Sequence, residues 1–300
     1  MPQAPAKLIL LGNTGFIGKA LFEHFRAYEE DSVLGYASST LDLRNPKSLA
    51  LLSDKVGPQT TLIVAAGMTI DRTQDCLDHF TANAEIGANV SRFLENHPVR
   101  KCVYFSTVSV YGDRETNLCV NEETLVQPTT HYASGKYAAE CALQKAGQMA
   151  GFSVLVLRLC RIFGPGALHA NYGPVRFIQS ILEEGVVRIY GDGKESRDQL
   201  FLDDLVQMSD SLIRGSHFGT YNLATGRNHT FAEILESLQK MVPQKFRVEH
   251  LPRTRPLIDQ QFDIQKLHRA VPGFRLTPFE ISLKITYDFL SQNYSHRSAS

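Results

Sequence analysis

Short apolar runs alternate along the chain with longer stretches whose apolar residues recur at helical spacing. Lys7–Leu11, Ser32–Tyr36, Thr61–Ala66, Lys101–Ser106 and Val154–Leu159 are rich in Val, Leu and Ile and have the length of buried strands. Between them, Phe16–Arg26 puts Phe16, Ile17, Ala20, Leu21 and Phe25 close to one helical face, and Leu77–Asn96 and Tyr132–Ala150 follow the same period. Strands alternating with helices predict βαβ units. The fold class expected is therefore α/β, a Rossmann-type doubly wound parallel sheet with a smaller C-terminal α/β lobe. The rhythm breaks after Phe163, at Gly164-Pro165-Gly166, Gly173-Pro174 and Gly191-Asp192-Gly193. Val175–Gly185, Leu205–Arg214 and Phe231–Met241 read as helices, Arg188–Tyr190 as a short strand, and Leu251–Pro256 as a loop. Tyr221–Ala224 reads as a return to the sheet. Residues 1–163 are expected to form the sheet domain, with the chain coming back to it around 205–224. Residues 164–300 mainly form the second lobe, the tail 295–300 is expected to be disordered, and a site is expected at the boundary of the lobes.

Composition narrows the class. Of 300 residues, 43% are hydrophobic and 21% charged, enough apolar material for a substantial core. Lys plus Arg and Asp plus Glu are both 31, so the formal charge is zero. That balance gives no global field to draw in a polyanion, and neither nucleic acid nor a membrane surface is an expected partner. No apolar stretch approaches the roughly 20 residues of a spanning helix, and Leu8–Leu11 is too brief for a secretory signal. Cys76, Cys102, Cys119, Cys141 and Cys160 are odd in number and scattered. They predict reduced thiols in the cytoplasm and no metal site.

The first apolar run ends in Gly12-Asn13-Thr14-Gly15-Phe16-Ile17-Gly18, which opens the first helical pattern. Glycines so placed permit a tight turn, a close approach of pyrophosphate to backbone, and close packing of helix on strand. The amides of the helix N-terminus would face the phosphates. Tyr132-Ala133-Ser134-Gly135-Lys136 puts Tyr132 and Lys136 four residues apart, on one helix face. A tyrosine is a poor base at neutral pH, and lowering its pKa by about three units requires roughly 4 kcal/mol, which a nearby ammonium helps to supply. Thr107, in Tyr104-Phe105-Ser106-Thr107-Val108-Ser109-Val110-Tyr111-Gly112, could bond a substrate oxygen that moves between alcohol and carbonyl.

The G-x-x-G-x-x-G turn, the Tyr-x-x-x-Lys pair and the Val-Tyr-Gly ending resemble the extended short-chain dehydrogenase/reductases, the nucleotide-sugar epimerase/dehydratase family. The resemblance covers Lys7 to about Leu290. It implies a nicotinamide cofactor, a nucleoside-diphosphate sugar as partner, and a catalytic set of Thr107, Tyr132 and Lys136. The implied cofactor contacts are Gly12, Thr14, Gly15, Phe16, Ile17, Ser38, Asp42, Leu43, Ala65 and Ala66 with Tyr132 and Lys136, and Asn83 matches an asparagine near the site. The stretch Tyr36-Ala37-Ser38-Ser39 carries no carboxylate to bind a ribose 2′-hydroxyl. It leaves room for a 2′-phosphate that Arg44 could approach, so NADP is expected, with NAD as the other possibility.

For the substrate side, the resemblance points to Thr107, Ser109, Tyr190, Arg197 and Arg255, the arginines facing the diphosphate. Arg197 stands in Arg188-Ile-Tyr190-Gly-Asp-Gly193 through Leu205, and Arg255-Pro256 with Asp259 resembles a later R-P-x-D element. Arginine suits phosphate because its planar fork donates several hydrogen bonds. In Arg158-Leu-Cys-Arg161-Ile-Phe163-Gly164-Pro165, Arg161 replaces the family's frequent asparagine. Asp203 and Asp204 read as a helix cap, His169 as solvent-exposed, and Cys160 as core. Val108 and Ser109 follow the threonine where hexose 4,6-dehydratases carry Asp-Glu, which disfavours dehydration. A 4-ketosugar reductase consuming NADPH is favoured, and a C4 epimerase recycling NAD remains. A dinucleotide-binding regulator without turnover is the reading from another class. A homodimer is expected.

Overall fold

The computed structural model describes residues 8–29, 32–70, 74–113, 119–167, 173–253, 257 and 259–298. Leu8–Leu11 (β1), Thr61–Val64 (β3) and Lys101–Thr107 (β4) are buried at every position, which is why they read as unbroken apolar runs rather than alternating ones. With Val33–Tyr36 (β2), Ser153–Leu159 (β5) and Gly219–Leu223 (β9) they form a six-stranded sheet in the order β2-β1-β3-β4-β5-β9. Every pairing is parallel, with Leu10 opposite both Gly35 and Ile63, and Tyr104 opposite Val64 and Val156. The doubly wound α/β sheet expected from the sequence is present.

Helices Phe16–Tyr28 (α1), Leu77–Asn96 (α2) and His131–Ala150 (α3) make crossovers, whereas the passage from β2 to β3 uses a 3₁₀ helix, Pro46–Leu52. Asn45 caps that turn by accepting from the Lys47 amide at 3.1 Å, and Leu49 and Leu52 are buried. α3 starts at Thr130, whose hydroxyl accepts from the Ala133 amide at 3.1 Å, and stops at Gly151 in the left-handed conformation. Gly135 lets α2 lie against α3: a Cβ there would come within 2.6 Å of the Phe80 carbonyl oxygen. The glycine inside Tyr-Ala-Ser-Gly-Lys is thus dictated by packing.

The chain divides into two units. The first comprises Met1–Gly112, Glu122–Leu159 and Val206–Leu223, and holds the six-stranded sheet. The second comprises Asp113–Asn121, Cys160–Leu205 and Ala224–Ser300. In it, Arg161–Phe163 (β6), Ser196–Phe201 (β8) and Asn228–Thr230 (β10) form a sheet ordered β10-β8-β6, while Val186–Tyr190 (β7) pairs in parallel with Arg247–Leu251 (β11). The remaining helices are Pro174–Glu184 (α4), Leu202–Arg214 (α5), Phe231–Met241 (α6), Gln265–Ala270 (α7) and Phe279–Ser298 (α8). Phe163 packs on Phe201 and Phe279 at ring distances of 5.8 and 5.6 Å, and Phe177 meets Phe231 edge-on. No helix among the described residues is long and apolar enough to cross a membrane.

β8 was hidden in the sequence because Arg197, Asp198 and Gln199 make it look like a loop. Buried Asp198 accepts from the Thr225 amide and hydroxyl and from the Gly226 amide, at 2.8–3.0 Å, so its polar atoms are satisfied inside the unit. Asp203 and Asp204 lie inside the first turn of α5. Asp204 bonds across to the Thr277 amide (3.0 Å) and hydroxyl (2.8 Å), which is a tertiary clip and not the helix cap expected. α8 runs on to Ser298, into the tail for which no order was expected; Leu283, Tyr287 and Leu290, at helical spacing, are its buried stripe.

The first residue of β4 is fastened to the end of α5. Lys101, 4% exposed, donates to the carbonyls of Ile213 (2.9 Å) and Gly215 (2.5 Å). Those oxygens have no helical partner of their own, and a cation suits the negative end of the helix. Lys101→Met should lower the unfolding free energy by about 1.5–3 kcal/mol, the worth of a charge-assisted hydrogen bond left unmade, as read by urea denaturation.

Candidate active site

The sequence-predicted residues of the first unit gather where the parallel strands end. β1 runs into Gly12, at φ +93°, where a Cβ would lie 2.8 Å from the Ala66 nitrogen, so the turn can carry only glycine there. The Gly12 amide donates to the Tyr36 carbonyl (2.8 Å) and the Ala65 amide to Leu11 (3.0 Å), which sets the ends of β1, β2 and β3 side by side. Thr14 and Gly15 are exposed, and Phe16 and Ile17 open α1. Gly15 is the N-cap and offers no side chain to the first amides, and the first turn has no acidic residue. Those amides are the donors an entering phosphate requires, so the cradle fits a dinucleotide.

Beyond β2, Ser38 and Ser39 are exposed in the turn, with Thr40 bonded to the Ala37 carbonyl. Arg44 is committed elsewhere: its Nε and Nη2 donate to the two oxygens of Asp42 at 3.1 and 2.9 Å, and its amide donates to the same carboxylate. This guanidinium and amide hold the Asp42 carboxyl below its ordinary range. Leu43 is buried, while Ala65 and Ala66 are half-buried beyond the end of β3.

Thr107 ends β4, and its hydroxyl accepts from the Ser109 amide and donates to the Ser109 hydroxyl, each at 3.2 Å. Tyr132 is half-buried in the first turn of α3. Burial pushes its phenol up to about 12, and a hydrogen bond with the Thr107 side chain works the other way. Lys136, 4% exposed, donates to the Phe105 carbonyl at 2.6 Å and stands 4.2 Å from the centre of the Tyr104 ring. Burial pulls its ammonium down to about 7, against the charge of Glu140. Asn83, matched to a family asparagine, is buried and not a surface amide: it donates to the Met68 (2.9 Å) and His79 (2.7 Å) carbonyls and accepts from the Met68 amide (3.2 Å). It thereby pins the loop after β3 to α2.

Of the substrate-side residues, Tyr190 lies exposed at the end of β7 in the second unit, and Arg197 lies on β8. Arg197 donates to Glu195 at 2.5 Å and to the Ser196 carbonyl at 2.6 Å, and Arg253 reaches the other oxygen of Glu195 at 3.5 Å. Arg161 is exposed on β6. Asp259 accepts from Ser196 (2.5 Å) and Asn228 (2.9 Å). Cys160 is buried, its sulfur 3.4 Å from Asp198. Arg255, Pro256 and His169 lie outside the described residues.

Two neighbours of Tyr132 and Lys136 escaped the sequence reading. Asp75, just before α2, accepts from the amides of His131 (2.7 Å) and Tyr132 (3.0 Å) and faces the His131 ring at 3.0 Å. Burial works to raise this carboxyl, but the two amides and the ring together hold it below its ordinary value. Glu140, one turn past Lys136, is bound by Arg158 and Ser106. An arginine within the apolar run Val154–Leu159 is a signal that could have found the pair, since a buried charge needs a partner.

The model of the NAD dependent epimerase/dehydratase family matches residues 8–224. The chain belongs to that family. Its curated relatives include a trifunctional UDP-glucose 4,6-dehydratase/UDP-4-keto-6-deoxy-D-glucose 3,5-epimerase/UDP-4-keto-L-rhamnose-reductase of Arabidopsis thaliana, 23% identical over 96% of this chain and 47% of that protein. The chain spans about half the length of the first curated relatives it matches. Among solved structures, the RMD of Pseudomonas aeruginosa complexed with NADPH superposes with a TM-score of 0.83 at 22% identity, covering 96% of this chain and 99% of that one. The UDP-glucuronic acid 4-epimerase of Bacillus cereus, in complex with UDP-glucuronic acid and NAD, gives 0.81 at 19% identity, covering 96% and 100%. The family is NAD(P)-dependent, and both reductases and epimerases occur among the relatives of this chain.

Asp75 joins the loop after β3 to the head of α3, and Asp75→Ala should reveal its share of the stability. The loss at pH 7 should be roughly 0.5–2 kcal/mol, the range for a helix cap. Because the folded-state pKa is depressed, the wild-type advantage is full above the unfolded pKa, near 4, and falls away as pH drops through the folded value. Urea denaturation of the two proteins should therefore converge as pH is lowered below about 4.

Proposed function

We propose that the protein is an oxidoreductase acting on a nucleoside-diphosphate sugar, a 4-ketosugar reductase that consumes NADPH. The observation that carries the reading is the convergence of Thr107, Tyr132 and Lys136 beside the glycine turn. Gly12, Thr14, Gly15, Phe16 and Ile17 would hold the cofactor's diphosphate. Asp42, Leu43, Ala65 and Ala66 would line the adenosine side, and Lys136 would grip the nicotinamide ribose. When bound there, NADPH would be the source of the hydride that reduces the sugar's carbonyl carbon. Tyr132 supplies the proton: its phenol O–H breaks as the new O–H of the alcohol forms, and Lys136 stabilises the tyrosinate left behind. Thr107 would turn its hydroxyl from Ser109 to donate to the same substrate oxygen as negative charge develops there. Arg197 and Arg255 would bind the diphosphate, whose charge is constant through the reaction, so they would act mainly on KM.

NADPH is favoured because the turn after β2 presents Ser38 and Ser39 and no carboxylate, while the acid nearest to it, Asp42, is neutralised by Arg44. In a fluorescence titration the protein should bind NADPH more tightly than NADH. A preference for NADH, with NAD released on denaturation, would indicate the C4 epimerase instead. Tyr132→Phe keeps the ring and removes the proton, so turnover on a nucleotide sugar found by screening should fall by roughly 10²–10⁴ with NADPH affinity nearly intact. Undiminished turnover would refute the assignment of Tyr132.

A further inference from the structure

A buried ion pair lies behind Lys136, and the reaction as described makes no use of it. Glu140 is 1% exposed and Arg158 5%. Arg158 donates through Nη2 to one carboxylate oxygen at 2.7 Å and through Nε to both at 3.2 Å, and the Ser106 hydroxyl donates to Glu140 as well. Arg158 also lies over the Tyr111 ring, 4.8 Å from its centre, and Tyr111 donates to Asn222 at 2.8 Å. A buried pair of this kind is often no more stabilising than apolar residues of the same volume. Its position suggests what it does here. Glu140 follows Lys136 by one helical turn, and Lys136 follows Tyr132 by one turn, so the three stand in a row along α3.

Lys136 is drawn toward its neutral form by burial, and Glu140 is the charge that opposes this. Were Glu140 without other partners, it would take the ammonium as its own counter-ion and quench it. Arg158 and Ser106 hold both its oxygens, and the ammonium donates instead to the Phe105 carbonyl. With Lys136 protonated, the row Lys136, Glu140, Arg158 carries one net positive charge, which the tyrosinate of Tyr132 would neutralise. We propose that Glu140 is a positioning residue: clamped by Arg158 and Ser106, it keeps Lys136 charged while leaving the ammonium to act on Tyr132. This rests on the role given above to Lys136.

The titratable groups packed around the row are few. From β4 come Tyr104, which burial keeps protonated, and Cys102, pushed up to about 12. Tyr111 follows β4, Arg158 comes from β5, and Tyr132, Tyr137 and Cys141 share α3. From α2 come Asn83, which has no charge to contribute, and His79, bonded to Cys76 at 3.2 Å.

The test reads Lys136 directly. Full-length protein labelled with ¹³Cε-lysine is titrated by NMR without cofactor or substrate, the Lys136 signal being the one lost in Lys136→Arg. Glu140→Gln retains an acceptor for Ser106 and should lower the Lys136 midpoint by about one pH unit; Glu140→Asp should bring it back toward wild type. Glu140→Gln leaves Arg158 without a counter-ion, so Glu140→Gln/Arg158→Met, which removes both charges, is titrated beside it. A lowered midpoint in the double variant supports the proposal, whereas a purely structural pair would leave it at the wild-type value. An unchanged midpoint in folded Glu140→Gln or in the double variant overturns it. Since no substrate enters the titration, that failure would leave the reductase reading standing.

Discussion

The last three residues of β4 are fastened to α3 one after another. The Phe105 carbonyl takes the Lys136 ammonium, the Ser106 hydroxyl donates to Glu140, and the Thr107 side chain reaches Tyr132. Because successive strand residues point to opposite faces, a one-residue slip of β4 would break all three contacts together. The site therefore does not depend on a flexible loop finding its place; its geometry is that of a helix docked on a strand end, and it is as rigid as the packing. Glycine at 135 and the Thr130 cap serve the same end, one by letting α2 close on α3 and the other by fixing where α3 begins.

The second unit follows another logic. Its strands are short, β8 and β10 carry polar residues, and three of its carboxylates are held by neighbours: Asp198 by the turn at Thr225, Asp204 by Thr277, Asp259 by Ser196 and Asn228. Arg197 and Arg253 share one carboxylate, Glu195. Such a clamp holds both guanidinium groups in fixed orientations.

The sheet of the first unit was legible because parallel strands covered on both faces leave continuous apolar runs, and Leu8–Leu11 and Lys101–Thr107 could be read almost to the residue. Thr107, Tyr132 and Lys136 were legible because their spacing is local. Asp75 was not: it meets Tyr132 across 57 positions of chain, and nothing in its own neighbourhood marks it as the stop for a distant helix. Arg44 was placed near a phosphate on sequence proximity, yet a carboxylate two residues away holds it. β8 was missed since buried polar residues resemble surface ones until their partners are known, and those partners, Thr225 and Gly226, stand 27 and 28 positions downstream.

The clip between Lys101 and the end of α5 has a consequence for the order of events in synthesis. The carbonyls of Ile213 and Gly215 that receive Lys101 lie 112 and 114 residues further along the chain, and β9, which completes the sheet beside β5, comes later still. Every motif residue through Lys136 has left the ribosome before either exists. At translation rates of about 5–20 residues per second, the roughly 60 residues between the end of β5 and the start of β9 leave the edge of β5 open for about 3–12 s. An open parallel edge of that kind is where a nascent chain is prone to pair wrongly. The stretch between Leu159 and Val206, whatever it binds in the finished protein, thus also sets how long the half-built sheet must remain without its last strand.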